Sequence, residues 1–368
     1  MEERETCIVP SGVPAPLARS FRTLARFSPS TGQALPRSEA GGTMPTMSLP
    51  LPSVLPSALP ASHPQGPLAD EPPADPRARL ARRILRSLPD AGDVDDGVPG
   101  LSFHRRDAFC PPVSVLYEPS LSLVVQGRKR VVLGTETFEY GAGRFMLTSV
   151  DLPTIAQVLD GNEVQPFLSI MLRLDLTVVR EMAAEVDLHG IPVDPAGPGM
   201  TVGTVTAPLL DAIARLAELG DRPRDIPVLG RLVLKEILYH LLLGPSGVHL
   251  RQIAVLGSQS SRVASVIAWL REHHAETVRV EDLAEMAAMG VSTLHRHFQA
   301  MTRLSPLQYQ KQIRLHEARR LLLTEAIDAS TAAYRVGYES ATQFNREYRR
   351  LFGDPPMRDV SRLRARAS

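Results

Sequence analysis

Cysteine is nearly missing from this 368-residue chain. Cys7 and Cys110 are the only two, too few for a disulfide framework or a cysteine-ligated zinc site, and their scarcity suits a reducing cytoplasm. Long apolar runs are missing as well. No stretch approaches the roughly 18 uninterrupted apolar residues of a membrane span, and the greasiest, around 237–243, is broken by Tyr239 and His240. Residues 1–30 carry Glu2, Glu3 and Glu5 and hold no compact apolar core, so they do not read as a secretory signal. Residues 1–76 contain only two aromatics, Phe21 and Phe27, but 15 of the 32 prolines. Such a segment buries too little apolar surface to offset its backbone entropy, and a disordered tail is expected there. Met44 and Met47 lie inside it as alternative starts.

Charge of one sign is also scarce overall, with a net of +1, but it is unevenly spread. Residues 258–368 hold 17 Lys and Arg against 12 Asp and Glu, which leaves the remainder mildly acidic. A basic C-terminal module suits phosphate binding, because each basic contact releases condensed counterions. It equally suits an ordinary surface.

From Pro76 the pattern becomes globular. Leu80, Ile84 and Leu88 recur at helical spacing. After a Gly/Asp-rich connection, residues 100–175 read as β-rich, with short β-branched runs between Gly127, Gly134, Gly141 and Gly143. Strands of five or six residues with regular glycine turns predict a meander closing into a small barrel or sandwich. Helices are predicted after Leu176. In the last of them before the basic module, Leu229, Val233, Ile237 and Leu241 share one line beside Leu234, Leu238 and Leu242. A stripe that wide reads as core, with a dimer seam as the alternative.

Within the basic module, residues 281–302 place Leu283, Ala284 and Ala287 on a short helix. Gly290 is expected to end it in a left-handed or closely approached conformation. Ser292 or Thr293 is expected to cap a second helix whose Leu294 and Phe298 face inward. Thr293, His295, Arg296 and Gln299 are left outside. Two short helices with such a turn match a helix-turn-helix. Residues 328–352 repeat the plan. A small-residue helix turns at Gly337, and Ser340 opens a helix with Phe344, Tyr348 and Phe352 inside. Ala341, Thr342, Asn345, Arg346 and Arg349 lie outside. Gly290 and Gly337 are taken as equivalent turns, and Phe298 and Phe352 as comparable inner positions. Between the units, SPLQYQKQIRLHEARRLLL predicts one helix of about 18 residues, roughly 27 Å long. That length is near the roughly 34 Å pitch of B-DNA, so helices 292–302 and 340–352 would reach successive major-groove segments.

These residues carry a family resemblance. LHRHF, SPLQYQKQIRLHEARRLL and AYRVGYESATQFNREYRRLFGDPP resemble the AraC-type DNA-binding domain over residues 261–364. YEPSLSLVVQGRKRVVLG, EYGAGRFMLTSVDLP and PFLSIMLRLDL resemble the N-terminal domain of one AraC/XylS subfamily. The resemblance implies an α+β protein in which a cupin-like β-barrel with following helices precedes an all-α DNA-binding domain with two helix-turn-helix units. The expected domains are a tail over 1–76, an effector-sensing and dimerisation domain over 77–250, and the DNA-binding domain over 258–364. The implied function is sequence-specific regulation of transcription in a bacterial cytoplasm, at the nucleoid. Implied partners are double-stranded promoter DNA, an unidentified small-molecule effector, a second copy of the chain, and RNA polymerase if the protein activates; no membrane or cofactor is implied.

Carried over by position, the resemblance puts base readers at Ser292, Thr293, His295 and Arg296, and at Ala341, Thr342, Asn345 and Arg346, with Gln299 and Arg349 beside them. Arg296 and Arg346 have the two donors that grip guanine, and Asn345 suits adenine. Ala341 departs from the polar side chains often found there and offers only contact with a thymine methyl. Ala332 stands where a branched aliphatic is common. Each arginine has a phosphate contact as its alternative role.

Two rival functions remain to be weighed. A cupin enzyme needs two or three histidines and a carboxylate on a metal, yet His104 is the only histidine over 100–185. Glu118, Glu136 and Glu139 read as solvent-facing carboxylates, so neither catalysis nor a metal is expected. A regulator-like protein that binds another protein through its helix-turn-helix units is disfavoured by the outward arginines. Effector sensing in a barrel that holds one small ligand is the preferred reading. Phe138, Tyr140, Phe145, Met146 and Phe167 read as core, and Cys110, before Pro111 and Pro112, has either a structural role or that of a reactive thiol.

Overall fold

In this computed structural model, residues 75–186, 197–325 and 327–367 are described. The expected disordered tail over 1–76 falls outside them except for its last two residues. There Asp75 caps α1 (Pro76–Ser87) by accepting from the Arg77 amide at 3.2 Å, and Pro76 supplies the preset φ of a first helical residue. Leu80 and Ile84 are buried, as their spacing predicts.

The body is built from antiparallel strands in two sheets. One runs β1 (Gly92–Asp95), β2 (Leu101–Arg106), β9 (Phe167–Arg173), β4 (Ser120–Gln126), β7 (Arg144–Thr148) and β10 (Met200–Thr204). The other runs β3 (Val113–Tyr117), β8 (Leu152–Asp160), β5 (Arg128–Leu133) and β6 (Glu136–Gly141). The inward positions of both sheets pack into one core containing Phe103, Leu121, Leu123, Val131, Leu133 and Ile170. Tyr140, Phe145, Met146 and Phe167 belong to that core as expected, whereas Phe138 is only half-buried.

Two strands escape the sequence pattern. β1 lies in the Gly/Asp-rich connection and pairs with β2, Val94 opposite Phe103. β10 lies in the stretch read as wholly helical and returns to the sheet edge, Gly203 opposite Phe145. Five residues with a glycine among them carry too little alternation to announce a strand.

The helices that follow are α2 (Leu176–Glu185), α3 (Ala207–Glu218), α4 (Arg231–Leu243) and α5 (Val248–Ala254). On α4, Ile237, Leu238, Leu241 and Leu242 are buried, so the core reading holds for its C-terminal half. Leu232, at the opposite end, and Leu229, just before the helix, are exposed.

Seven more helices follow among the described residues: α6 (Gln259–Glu272), α7 (Val280–Met286), α8 (Val291–Thr302), α9 (Pro306–Thr324), α10 (Ala329–Arg335), α11 (Ala341–Phe352) and α12 (Pro356–Ala367). Their apolar side chains divide unequally. Leu283, Leu294, Phe298 and Tyr309 are continuous with the core of the body. Leu315, Leu322, Ala332, Val336, Phe344, Tyr348 and Val360 form a second, separate core. The first helical hairpin is thus packed as part of the body, and the second carries its own interior. No single helix among the described residues is long and apolar enough to cross a membrane.

Candidate nucleic-acid interface

Each hairpin closes through the same turn. The Met289 amide donates to the Ala284 carbonyl at 2.9 Å, and the Tyr338 amide donates to the Ala333 carbonyl at 2.9 Å. Each turn contains one left-handed residue, Ala288 at φ 48° and Gly337 at φ 86°. This corrects the expected equivalence of Gly290 and Gly337. Gly290 has φ −70° and is the N-cap of α8, with nothing within 4 Å of where a Cβ would sit. At Gly337 a Cβ would fall 2.2 Å from the Ala275 carbonyl oxygen, so here a side chain is excluded.

The expected capping by Ser292 or Thr293 is likewise corrected. Both lie inside the first turn of α8, which has no side-chain cap because glycine supplies no oxygen. Ser340 does cap α11, accepting from the Gln343 amide at 3.3 Å. Since α8 and α11 each run 12 residues, the eighth position of each is Phe298 and Tyr348. Tyr348, and not Phe352, is therefore the inner counterpart of Phe298. Phe352 is half-buried, its ring 4.4 Å from the Arg319 guanidinium.

The inner faces of both second helices are shut. Leu294, Phe298, Phe344 and Tyr348 are all fully buried. On the outer faces, Ser292, Arg296, Gln299, Thr342, Asn345, Arg346 and Arg349 are exposed, and Thr293, His295 and Ala341 are half-buried. Arg296, Arg346 and Arg349 make no hydrogen bond or ion pair among the described residues. Arg350 is exposed beside Arg349 and extends the basic last turn of α11. It lies four residues after Arg346, on the same outer line, and was not singled out from the sequence.

The relative placement of the hairpins depends on α9, whose 19 residues exceed the expected length by one. A full capping box starts it: the Gln308 amide donates to Ser305 Oγ at 3.3 Å, and the Ser305 amide donates to Gln308 Oε1 at 3.1 Å. Arg314, halfway along, was not singled out from the sequence. Its guanidinium donates to the His274 carbonyl at 2.6 Å, the Glu276 carbonyl at 2.9 Å and the Gly337 carbonyl at 2.8 Å. One planar, five-donor group thereby joins the loop before α7 to the turn of the second hairpin. Only a long cationic residue on a buried helix face signals such a clamp, and sequence alone does not say where its donors go.

In the second core, Asp359 is fully buried. It accepts from Arg319 at 2.8 and 3.1 Å, from the Tyr348 hydroxyl at 2.9 Å and from Arg362 at 2.7 Å. Burial, followed by the nearby Asp359 charge, pushes the Tyr348 phenol far above its ordinary range.

The same helices are tied to the body. Arg319 donates to the Ser114 carbonyl at 3.2 Å, Ser114 Oγ lies 3.3 Å from His316 Nε2, and the Tyr309 hydroxyl donates to the Asp151 carbonyl at 3.0 Å. The Gly199 amide donates to the Met301 carbonyl at 2.8 Å. Two of the carboxylates read as solvent-facing serve here instead. Glu118 and Asp151 both engage Arg271 on α6, and Glu136 engages Arg303 at the end of α8. Burial raises the Asp151 carboxyl to about 6 although Arg271 opposes it, and burial with the neighbouring Arg319 lowers His316 to about 3.

Between the β3–β8–β5–β6 sheet and helices α6, α9 and α12 lies a cavity of about 820 Å³. Tyr117, Lys129, Phe167 and Met171 line it from the body, and Ile313 and His316 from α9. Cys110 lies in its wall and is not a free thiol there. His104 is held by Asp93 at 2.6 Å and by Ser102 at 3.2 Å.

Comparison with known proteins supplies independent findings. A model described as the AraC-type transcriptional regulator N-terminus matches residues 97–249, and a helix-turn-helix domain model matches residues 283–361. The HTH-type transcriptional activator RhaS of Citrobacter koseri is 32% identical over 151 residues, covering 40% of this chain and 51% of that protein. The chain thus spans about half the length of the curated relatives it matches. Among solved structures, an apo ToxT variant from Vibrio cholerae shares the fold at TM-score 0.53 and 9% identity, over 72% of this chain and 98% of that one. The DNA-binding domain of AdpA, solved with a target DNA, is 35% identical over 28% of this chain and 95% of that domain, with a TM-score of 0.27. With both models matched in order along a barrel-like body and two helix-turn-helix hairpins, the chain belongs to the AraC-type transcriptional regulators.

Proposed function

We propose that this protein is an effector-responsive regulator that binds double-stranded promoter DNA sequence-specifically, laying α8 and α11 in successive segments of the major groove. The observation that carries this is the division of both helices into a closed inner face and an outer face whose arginines have no internal partner. Unpaired guanidiniums on a helix surface cost little in water and are free to meet guanine edges or phosphates. α9, about 28 Å long at 1.5 Å per residue, sets the two helices a distance apart that suits one turn of duplex.

In this reading Ser292, Thr293, His295, Arg296 and Gln299 face one half of the site and Ala341, Thr342, Asn345, Arg346 and Arg349 the other. Residues 77–250 form the sensing and dimerisation domain, 258–364 the DNA-binding domain, and 1–76 a tail. No reaction is assigned to the body. The cavity shared by the body and α9 is the effector site, because whatever fills it touches the helix that spaces the two readers. The RhaS relatives are named activators, and by that likeness the protein contacts RNA polymerase at the nucleoid of a bacterial cytoplasm.

Sequencing of DNA immunoprecipitated with the protein tests the proposal. A recovered motif with two conserved blocks about 10 bp apart supports it, and enrichment without any common motif would overturn it.

A further inference from the structure

Lys129 occupies an unusual position. On β5 the inward side chains are Lys129, Val131 and Leu133, so the period-two pattern of the strand calls for an apolar residue where the lysine stands. It is 8% exposed, and what exposure it has faces the cavity between the body and α9. A buried ammonium is costly unless paired and hydrogen-bonded, yet Lys129 makes no hydrogen bond or ion pair among the described residues. Its Nζ lies 5.2 Å from the Tyr117 ring centroid, a cation–π contact that only partly offsets the lost water.

The other cations of the wall have acceptors. Arg106 is held by both Asp93 oxygens and the Gly92 carbonyl, Arg271 by Glu118 and Asp151, Arg319 by Asp359, and Arg320 by Glu317. Asp93, the acidic group whose field reaches Lys129, is already engaged by Arg106 and His104. A second donor is orphaned nearby. The Tyr117 hydroxyl is buried without any hydrogen-bond partner, while Tyr140, opposite Lys129 on β6, donates to Ser122 at 3.4 Å.

We infer that Lys129 and Tyr117 form the head-group site for an amphipathic organic carboxylate, whose apolar part lies along Phe167, Met171 and Ile313. An ammonium and a phenol O–H both lack an acceptor, and a carboxylate offers two charged oxygens to them. The greater part of the remaining lining is apolar, which favours an acid with a hydrocarbon or aryl body over a bare inorganic anion. The inference rests on the reading of this cavity as the effector site and names the class of effector it takes.

The test is calorimetric titration of the full chain with 4-phenylbutyrate, decanoate and the neutral amide of each. The expected result is that at least one carboxylate binds ten-fold or more tighter than its amide, and that Lys129→Met erases this difference while leaving amide binding in place. Tyr117→Phe should weaken carboxylate binding several-fold, and thermal melting checks that both variants fold. No carboxylate binding, equal binding of acid and amide, or binding undiminished by Lys129→Met would each overturn the inference. A gel shift on the recovered DNA site, run without any acid, separates the outcomes: retained DNA binding with no acid binding sinks this inference alone, and lost DNA binding sinks the regulator reading.

Discussion

Replacing Asp359 by alanine probes how the second hairpin is held. The carboxylate is fully buried and accepts four hydrogen bonds, two from Arg319, one from Tyr348 and one from Arg362. Its loss leaves the Arg319 guanidinium, whose side chain is only 10% exposed, without a counter-charge. Removing one member of a buried ion pair typically costs about 3–5 kcal/mol. The orphaned Tyr348 hydroxyl adds about 1–3 kcal/mol, while the contacts of Arg319 with Ser114 and the Phe352 ring moderate the total. A loss of about 4 kcal/mol is expected, confined to the second core because its apolar side chains are separate from the rest. Tryptophan fluorescence is blind to it, since the single Trp269 lies on α6. Hydrogen exchange of α11 and α12 amides reports it directly. The double variant Arg319→Met with Asp359→Leu should recover most of the loss, because replacing both partners by apolar groups is close to neutral. Slowed exchange unchanged in Asp359→Ala, or a double variant as weak as the single, would refute this account of the network.

Three further outcomes follow from the same geometry. Arg296→Ala and Arg346→Ala should each weaken cognate DNA binding by about 1–3 kcal/mol and relax preference at one base pair, with melting unchanged because neither side chain has an internal partner; equal losses on random DNA in gel shifts would reassign them to phosphates. Gly337→Ala should destabilise the second hairpin and disturb its docking on the loop before α7, since the new methyl meets the Ala275 carbonyl, and exchange of α10 and α11 amides checks this. His316, lowered to about 3 by burial, binds its proton less readily in the folded state than in the unfolded one. Its contribution is therefore complete above the ordinary histidine range and falls away as pH drops from about 6.5 toward 3. Asp96 and Asp151, both raised by burial to about 6, have the opposite sign and favour the native state as pH falls through that value. The difference in melting between wild type and His316→Gln over pH 7 to 4 isolates the histidine; a constant difference would contradict the assignment.

The sequence made the readers legible and left their supports hidden. Phe298, Phe344 and Tyr348 announce an inner face by helical spacing alone, and the outward arginines follow from the same period. The turns were misaligned because glycine was treated as the marker of the left-handed residue. Ala288 takes that role in the first hairpin, where the hairpin's packing into the body overrides the alanine's local preference. Strand β10 was missed because its pairing partner, β7, lies more than fifty residues earlier and its own pattern is short. Lys129, Arg314 and Asp359 could not be singled out, since what distinguishes them is which carbonyls, hydroxyls or empty spaces the fold brings within reach. Glu118 and Glu136 looked like surface carboxylates for the same reason.

The central claim is that two hairpins on one spacer read neighbouring stretches of the same duplex. Methylation interference at guanine N7 on the recovered site measures this most directly. The account predicts two interfering clusters on one face of the DNA, about 10–10.5 bp apart, with Arg296→Ala abolishing one cluster and Arg346→Ala the other. A single cluster lost equally in both variants would contradict it.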